Sequence, residues 1–164
     1  IKFREGFRPF APAVLLEDAD QYFTGGKLSP YMLFVSQLKE AYRIKSSANN
    51  FALTIRERLN EPRSCFPAVT HVDFSARVQT VAKEINPKFW GLINEFKKLT
   101  GHGMLINTSF NMRGEPIVCN PEDAFLGFMR TGMDYLVTGN YLFDKKQQPE
   151  LPDAFVKKGK TILD

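Results

Sequence analysis

The sequence predicts an α/β or α+β fold in which strands alternate with two or three helices. Short apolar segments bounded by turn residues indicate the strands, and two amphipathic segments with clear start and stop signals indicate helices. The chain has 164 residues, of which 43% are hydrophobic and 24% charged. This composition is typical of one globular domain that is large enough to bury a single core.

The N-terminal part is predicted to consist of short elements separated by turns. We expect a strand over 11–16, a brief acidic helix over 17–23, a turn over 24–30 and a second strand over 31–38. The segment 39–63 is polar and charged, and it predicts a long connection with one exposed helix.

The clearest alternation lies in AVTHVDFSARVQ, residues 68–79, where even-numbered positions are mostly apolar. A period of two predicts a strand with one face in the core. The opposite face is either solvated or one wall of a site. Twelve residues exceed the usual strand length of roughly five or six, so we expect a bend or bulge near the middle. The polar face carries His71, Asp73, Ser75, Arg77 and Gln79.

Two helices are marked at their ends by capping residues. The first helix is predicted to start at Asn86 and Pro87 and to stop at Gly101. The second is predicted to start at Asn120 and Pro121 and to stop before Gly132. A strand over 104–107 follows the first helix, and MDYLVTGNYLF predicts a hairpin after the second. The apolar stripe of the first helix is expected to pack in the core, and it consists of Phe89, Leu92, Ile93, Phe96 and Leu99.

The stretch LINTSFNMRGEPIV begins as a strand and continues with hydrogen-bonding side chains. Ligand sites in α/β sheets favour the carboxyl ends of strands, which is where this stretch lies. Arg113 can form a forked pair with phosphate or carboxylate, and Gly114 allows the backbone to approach a ligand closely. The candidate ligand-orienting residues are Asn107, Thr108, Ser109 and Asn111.

The N-terminal KFREGFR adds Lys2, Arg4 and Arg8, which lie on one side if the segment is extended. A formal charge of +4 and a pI of about 9.1 favour anionic partners without selecting one. There is no P-loop and no dinucleotide-binding glycine motif, so basic side chains would have to hold a nucleotide. Taken alone, the basic residues fit either structural ion pairs or an anion site.

Other chemistry-bearing residues are sparse. His71 and His102 are the only histidines, which is too few to predict a metal site. Cys65 and Cys119 form no disulfide framework, so we expect a reducing, cytoplasmic environment. No apolar run approaches the roughly 18 residues of a membrane span, so no membrane partner is expected. The chain begins at Ile1 without a methionine, and we expect it to be part of a longer protein.

Three stretches in this order resemble the C-terminal domain of the O-carbamoyltransferases of the NodU and CmcH type. They are KFREGFRPFAPAVL, PAVTHVDFSARVQTV, and LINTSFNMRGEPIV with NPEDAFLGF. The resemblance extends from about residue 2 to residue 143, and residues 39–63 resemble a variable connection. It implies a YrdC-like fold, an open twisted mixed β-sheet with flanking helices, over a single domain spanning residues 1–164.

The resemblance also implies a function. In this family the C-terminal domain binds ATP, with Mg²⁺ arriving on the nucleotide, and carbamoyl phosphate, and it forms carbamoyladenylate. An N-terminal domain of the actin-like ATPase superfamily, which holds iron, transfers the carbamoyl group to a hydroxyl. That domain is absent from this chain. On this reading Arg77 and Arg113 are catalytic, and the ligand-binding residues are Lys2, Arg4, Arg8, His71, Ser75, Asn107, Thr108, Ser109 and Asn111.

Two other interpretations stay open at this point. The basic and aromatic residues of KFREGFRPF would also suit a nucleic-acid-binding module, which we consider the less favoured partner class. The domain could also be a structural one that docks on the missing N-terminal half and binds no ligand of its own.

Overall fold

The structure, a computed structural model, describes residues 1–2, 5, 7–26, 28–44 and 54–152. It divides into two units. The larger unit comprises Glu5–Thr108, and the smaller unit combines Ile1–Arg4 with Ser109–Asp164. The mixture of helices with several open sheets confirms the predicted mixed α/β class.

The larger unit is built on the strand β1, Ala11–Leu15. Every residue of APAVL is buried, which explains why this strand shows no alternation in the sequence. β5, Gln79–Val81, pairs with β1 in parallel, and β6, Met104–Asn107, pairs with it antiparallel on the other side. The prediction of strands at the beginning of the chain and at 104–107 is confirmed.

A second sheet of the larger unit contains three short antiparallel strands. They are β2, Phe23–Thr24, β3, Val35–Leu38, and β4, Ser75–Arg77. The predicted strand over 31–38 is therefore confirmed only in its second half. Residues 31–34 leave the extended conformation because the non-glycine residue Met32 has a positive φ of 55°.

The prediction of one long strand over 68–79 is wrong. Pro67–Val69 is a 3₁₀ helix, and a tight turn precedes β4. Phe74 adopts a left-handed φ of 63°, which reverses the chain and destroys the alternation of faces at that point. The bend expected near Asp73 is therefore present, and it interrupts the strand.

The helices of the larger unit are α1, Ala19–Tyr22, α2, Ile55–Asn60, and α3, Pro87–Thr100. The Asn86 side chain accepts a hydrogen bond from the N–H of Phe89, and Gly101 ends α3 with a left-handed φ of 80°. The exposed α2 confirms the helix expected in the connection 39–63, of which residues 45–53 lie outside the described residues.

The core prediction for the apolar stripe of α3 is only partly correct. Ile93 is fully buried against β1 and β5, and Phe89 is half-buried beside it. Leu92 and Leu99 are 60% and 86% exposed. A helix of 3.6 residues per turn spreads these five positions over a wider arc than the sheet of this unit can cover.

The smaller unit contains α4, Pro121–Arg130, and the hairpin of β7, Tyr135–Thr138, and β8, Tyr141–Asp144. Asn120 caps α4 by accepting a hydrogen bond from the N–H of Asp123, as the sequence predicts. The hairpin turns at Gly139, whose φ is 58°. The buried core of this unit consists of Ala124, Phe128 and Leu136.

Candidate functional site

In the smaller unit, Lys2 holds the beginning of the polar stretch that follows β6. Its ammonium group donates to the Ser109 hydroxyl at 3.0 Å and to the Asn111 side-chain oxygen at 2.7 Å. It also donates to the backbone carbonyl oxygens of both residues. An ammonium group has three N–H donors, so this arrangement occupies all of them. Lys2 therefore positions the turn in this structure, in addition to bringing a positive charge to it.

The amide of Asn111 closes the turn from the inside. Its Nδ2 donates to the carbonyl oxygen of Glu115 at 2.9 Å, and the N–H of Glu115 donates to the carbonyl oxygen of Met112 at 3.2 Å. The N–H of Val118 donates to the carbonyl oxygen of Phe110 at 3.0 Å. These bonds fix the backbone of residues 110–118 as one turn, which we call the arginine turn because Arg113 lies within it.

Arg113 lies on the exposed side of the arginine turn. The next residue, Gly114, has a φ of 81°, a conformation that a side chain would disfavour. The left-handed glycine bends the backbone immediately after the guanidinium-bearing residue. A guanidinium group on such a fixed backbone is suited to forked hydrogen bonds with phosphate or carboxylate oxygens.

A partly buried ion pair between α4 and Glu115 supports the arginine turn. Arg130, at the end of α4, lies 3.5 Å from the Glu115 carboxylate. The side chains are only 12% and 33% exposed, so the pair is shielded from solvent more than a surface ion pair would be. The two residues are 15 positions apart, and no periodicity signals such a contact.

In the larger unit, His71 and Ser75 close the turn that precedes β4. The N–H of His71 donates to the carbonyl oxygen of Ser75 at 2.8 Å, and the N–H of Ser75 donates to the Asp73 carboxylate at 3.0 Å. The imidazole Nδ1 of His71 lies 3.6 Å from the same carboxylate. Ser75 is buried, whereas His71 and Asp73 are exposed. The structure thus brings His71 and Ser75 together around Asp73.

Hydrogen bonds from the side chain and then the backbone of Ser75 lower the pKa of the Asp73 carboxyl group below its ordinary value. The ionised carboxylate therefore stabilises the fold above the unfolded-state pKa of about 3.9, and this contribution is lost as the pH falls through the lower folded-state pKa. We expect Asp73→Ala to lower the melting temperature at pH 7 and to have progressively less effect as the pH falls below about 4. Because the side chain is 63% exposed, the effect at pH 7 should stay below about 1 kcal/mol.

Ser75→Ala provides the matched control for the Asp73 prediction, because it removes the hydroxyl donor and keeps the carboxylate. It should reduce the same pH dependence, and an NMR titration of the Asp73 carboxyl should show a higher pKa in this variant. A carboxyl pKa that is unchanged by Ser75→Ala would contradict the assignment.

Arg77 ends β4 and is exposed, with Val35 of β3 as its partner across the strand pair. Asn107 ends β6 and is half-buried. Its Nδ2 donates to Oε1 of Gln79 at 2.5 Å, and the Nε2 of Gln79 donates to the carbonyl oxygen of Pro30 at 2.9 Å. Gln79 thus orients Asn107. This contact depends on the parallel pairing of β5 with β1, which the local sequence does not reveal.

The remaining candidate residues are less defined. Arg8 lies 3.4 Å from Glu5 in an exposed ion pair, which contributes little to stability. Thr108 is exposed directly after β6. Arg4 lies outside the described residues. The structure therefore groups Lys2 with two other candidates in one unit and His71 with Ser75 in the other, while Arg8 pairs with an acid.

No three His, Cys, Asp or Glu side chains among the described residues lie close enough together to hold a metal ion. Cys65 and Cys119 are both exposed free thiols. In the part of the chain that the structure describes, no helix is both long and apolar enough to cross a membrane.

The structure thus describes a mixed α/β fold with Arg77 exposed in the larger unit and Arg113 exposed in the smaller one. Comparison with known proteins identifies the family. The family described as carbamoyltransferase C-terminus matches residues 1–145. The chain belongs to this family, and the resemblance drawn from its three sequence stretches is confirmed.

Its relatives include nodulation proteins and an O-carbamoyltransferase. An uncharacterized protein of Synechocystis is 53% identical over 92% of this chain, and nodulation protein NolNO of Sinorhizobium fredii is 43% identical over 89%. The 3'-hydroxymethylcephem-O-carbamoyltransferase of Amycolatopsis lactamdurans is 32% identical over 90%. The chain spans only 24%, 19% and 24% of the length of these three relatives, respectively.

Proposed function

We propose that this chain is the C-terminal domain of an O-carbamoyltransferase and that it binds ATP and carbamoyl phosphate to form carbamoyladenylate. Family membership supports a transferase role. The name of the Amycolatopsis relative supports carbamoyl transfer to a hydroxyl, which is stated there for that protein. In our proposal Mg²⁺ arrives on ATP as part of the substrate.

The arginine turn is the observation that carries this proposal. A backbone turn fixed by Lys2, Asn111 and Glu115 presents Arg113 to solvent within the segment that the family shares. Catalysis of adenylyl transfer depends mainly on positioning the phosphates and on stabilising their charge. A guanidinium group on a fixed backbone suits both tasks, and Arg77 at the end of β4 is the second arginine that we propose as catalytic.

The proposed reaction has two steps. Water first cleaves carbamoyl phosphate, which releases phosphate and leaves carbamate. A carbamate oxygen then attacks the α-phosphorus of ATP, and the bond from that phosphorus to the α,β-bridging oxygen breaks. Carbamoyladenylate and pyrophosphate are the products. Arg113 would stabilise the negative charge on the phosphate oxygens during this second step.

Transfer to the acceptor hydroxyl is proposed for a second domain. Because the relatives are four to five times longer than their match to this chain, a longer polypeptide has room for an N-terminal domain of the actin-like ATPase superfamily. We propose that this N-terminal domain holds the iron and carries out transfer, that the C-terminal domain is YrdC-like, and that the enzyme works in the cytoplasm.

Arg113→Ala tests the proposal. ATP with Mg²⁺ at about 100 times its Kd should stabilise the protein by about 2.7 kcal/mol and raise the melting temperature by several degrees. The loss of one charged hydrogen bond should weaken binding about ten-fold or more. At the same ATP concentration, Arg113→Ala should then retain at most about 1.4 kcal/mol of the stabilisation. Thermal unfolding and calorimetric titration measure both quantities.

Arg56→Ala is the matched control, because Arg56 is an exposed arginine on α2. It should bind ATP like the unaltered protein. Pyrophosphate release that requires both ATP and carbamoyl phosphate should fall with Arg113→Ala and persist with Arg56→Ala. Stabilisation by a short RNA, with a steep loss on adding salt and none by ATP, would instead support the nucleic-acid-binding interpretation. Equal effects of the two arginine variants would refute the role of Arg113.

A further inference from the structure

The larger unit exposes several large apolar side chains in the segment that leads into β3. Residues 28–35, which we call the apolar loop, contain five large hydrophobic side chains that are each more than half exposed. Single exposed apolar residues are ordinary, but five within eight positions form a patch of the kind that marks an interaction surface. They are Leu28 at 54%, Tyr31 at 79%, Leu33 at 74%, Phe34 at 63% and Val35 at 65%.

The apolar loop is held in place by hydrogen bonds to β5 and its neighbours. The N–H of the buried residue Ser29 donates to the Thr80 hydroxyl at 2.7 Å, and the Ser29 hydroxyl donates to the carbonyl oxygen of Val78 at 3.0 Å. The N–H of Thr80 donates back to the carbonyl oxygen of Ser29 at 3.0 Å. These hydrogen bonds hold the backbone that carries the apolar side chains, which lowers the entropic cost of binding a partner.

The backbone conformation of Met32 also holds the apolar loop in its turn. Its φ of 55° lies in the left-handed region, which a residue with an unbranched side chain adopts only when its surroundings require it. The N–H of Met32 donates to the carbonyl oxygen of Ser29 at 3.5 Å, which turns the chain within the loop. This conformation is one reason why residues 31–34 leave the strand, with Tyr31, Leu33 and Phe34 exposed and Met32 half-buried.

The apolar loop adjoins two of the candidate site residues. Val35, its last residue, is the cross-strand partner of Arg77. The Sδ atom of Met32 lies 3.9 Å from Nδ2 of Asn107. Any body that covers the apolar loop would therefore border both Arg77 and Asn107.

We propose that the apolar loop is the surface on which the N-terminal domain of the same longer polypeptide docks, an inference that rests on the proposed function. The relatives contain this domain in only about a fifth to a quarter of their length, so the remaining part of such a polypeptide supplies an occupant. Interfaces between domains of one chain typically bury roughly 600–1,500 Å², and a rigid patch of five large side chains can form the centre of one. Docking there would bring the second domain next to Arg77 and Asn107.

Hydrogen exchange tests the docking surface without any substitution. Amide exchange of residues 28–35 is compared between the 164-residue chain and the longer polypeptide, with no ATP or carbamoyl phosphate present. We expect exchange at least ten-fold slower in the longer polypeptide. Equal exchange in both proteins would overturn the proposal. Because no substrate is used, this result is independent of whether the proposed adenylation reaction is correct.

The variant Leu33→Ser with Phe34→Ser tests the contact directly. In the 164-residue chain it should shift the melting temperature by about 1 °C or less, because both side chains are exposed there. In the longer polypeptide it should increase the rate of proteolysis between the domains at least ten-fold. Leu142→Ser, at a residue that is 67% exposed in the smaller unit, is the matched control and should leave proteolysis unchanged.

Two results would overturn this assignment. Equal proteolysis of the longer polypeptide with and without Leu33→Ser and Phe34→Ser would show that the loop does not contact the second domain. A dimer of the 164-residue chain in light scattering that these substitutions dissociate would assign the surface to a second copy of the chain.

Discussion

Gly103→Ala is expected to lower the free energy of unfolding of the larger unit by about 3 kcal/mol, which corresponds to a melting temperature lower by roughly 10 °C. Gly103 is buried immediately before β6. A Cβ atom there would lie 2.2 Å from Oδ2 of Asp18 and 3.2 Å from Cδ1 of Leu15. The first distance is far below van der Waals contact, so the carboxylate would have to move.

Moving Asp18 is costly because its carboxylate is buried and paired. Oδ1 of Asp18 accepts a hydrogen bond from Lys97 of α3 at 2.8 Å, a bond that raises the pKa of the Lys97 ammonium group. Oδ2 is buried without a hydrogen-bond partner among the described residues. Displacing the carboxylate would therefore break the pair between the chain after β1 and α3 while leaving the charge shielded from water.

Gly91→Ala is the matched control for Gly103→Ala. Gly91 lies within α3, and a Cβ atom there would have no atom within 4 Å. Alanine favours the interior of a helix over glycine, so this variant should gain roughly 0.5–1 kcal/mol. Denaturant unfolding of both variants measures the difference. Equal stability of Gly103→Ala and the unaltered protein would contradict the packing of Asp18 against Gly103.

The helices could be predicted from the sequence because their signals are local. Asn86 and Asn120 each form the expected capping hydrogen bond three residues ahead, and Gly101 ends α3 in the left-handed conformation. The burial of the α3 stripe could not be predicted in the same way. Periodicity shows that a helix has an apolar face, but how much of that face is covered depends on the width of the sheet beneath it.

The error in the segment 68–79 has a specific physical cause. Alternating polarity is typical of a strand, but here Asp73 accepts a hydrogen bond from the N–H two residues ahead and Phe74 turns into the left-handed region. A short side-chain hydrogen bond of this kind competes with strand pairing. The expected faces are therefore mixed: Ser75 of the polar face is buried, whereas Val72 of the apolar face is 43% exposed.

The strand end and the turn that carry the candidate residues could be predicted from the sequence, but their tertiary contacts could not. The strand end at Asn107 and the turn that presents Arg113 follow from the local sequence. The bond from Lys2 to Ser109 joins residues 107 positions apart, and the pair of Arg130 with Glu115 depends on how α4 returns to the turn. Such contacts arise from tertiary packing, which composition and spacing do not encode.

Phe128→Ala is expected to destabilise the smaller unit by about 3–5 kcal/mol. Phe128 is fully buried, and its only buried hydrophobic partners among the described residues are Ala124 and Leu136. The Lys145 ammonium group also lies 4.8 Å from the centre of its ring. In so small a core, deleting one aromatic ring removes a large part of the apolar surface that holds α4 on the hairpin.

The effect should also reach the arginine turn. Arg130 lies two positions further along α4 and holds Glu115, whose carbonyl oxygen holds Asn111. When α4 loosens, the arginine turn should lose this support. We expect amide exchange of residues 110–130 to accelerate at least a hundred-fold and ATP-dependent stabilisation to fall, while the amides of β1 stay protected.

Leu142→Ala is the control for Phe128→Ala within the same unit. Leu142 lies in β8 and is 67% exposed, so truncating it should change stability by no more than about 0.5 kcal/mol. A Phe128→Ala variant that loses its core stability yet keeps the exchange rates of residues 110–118 would show that the arginine turn does not depend on α4. Loss of both together would show that the arginine turn depends on this small core, against which Phe110 and Val118 of the turn also pack.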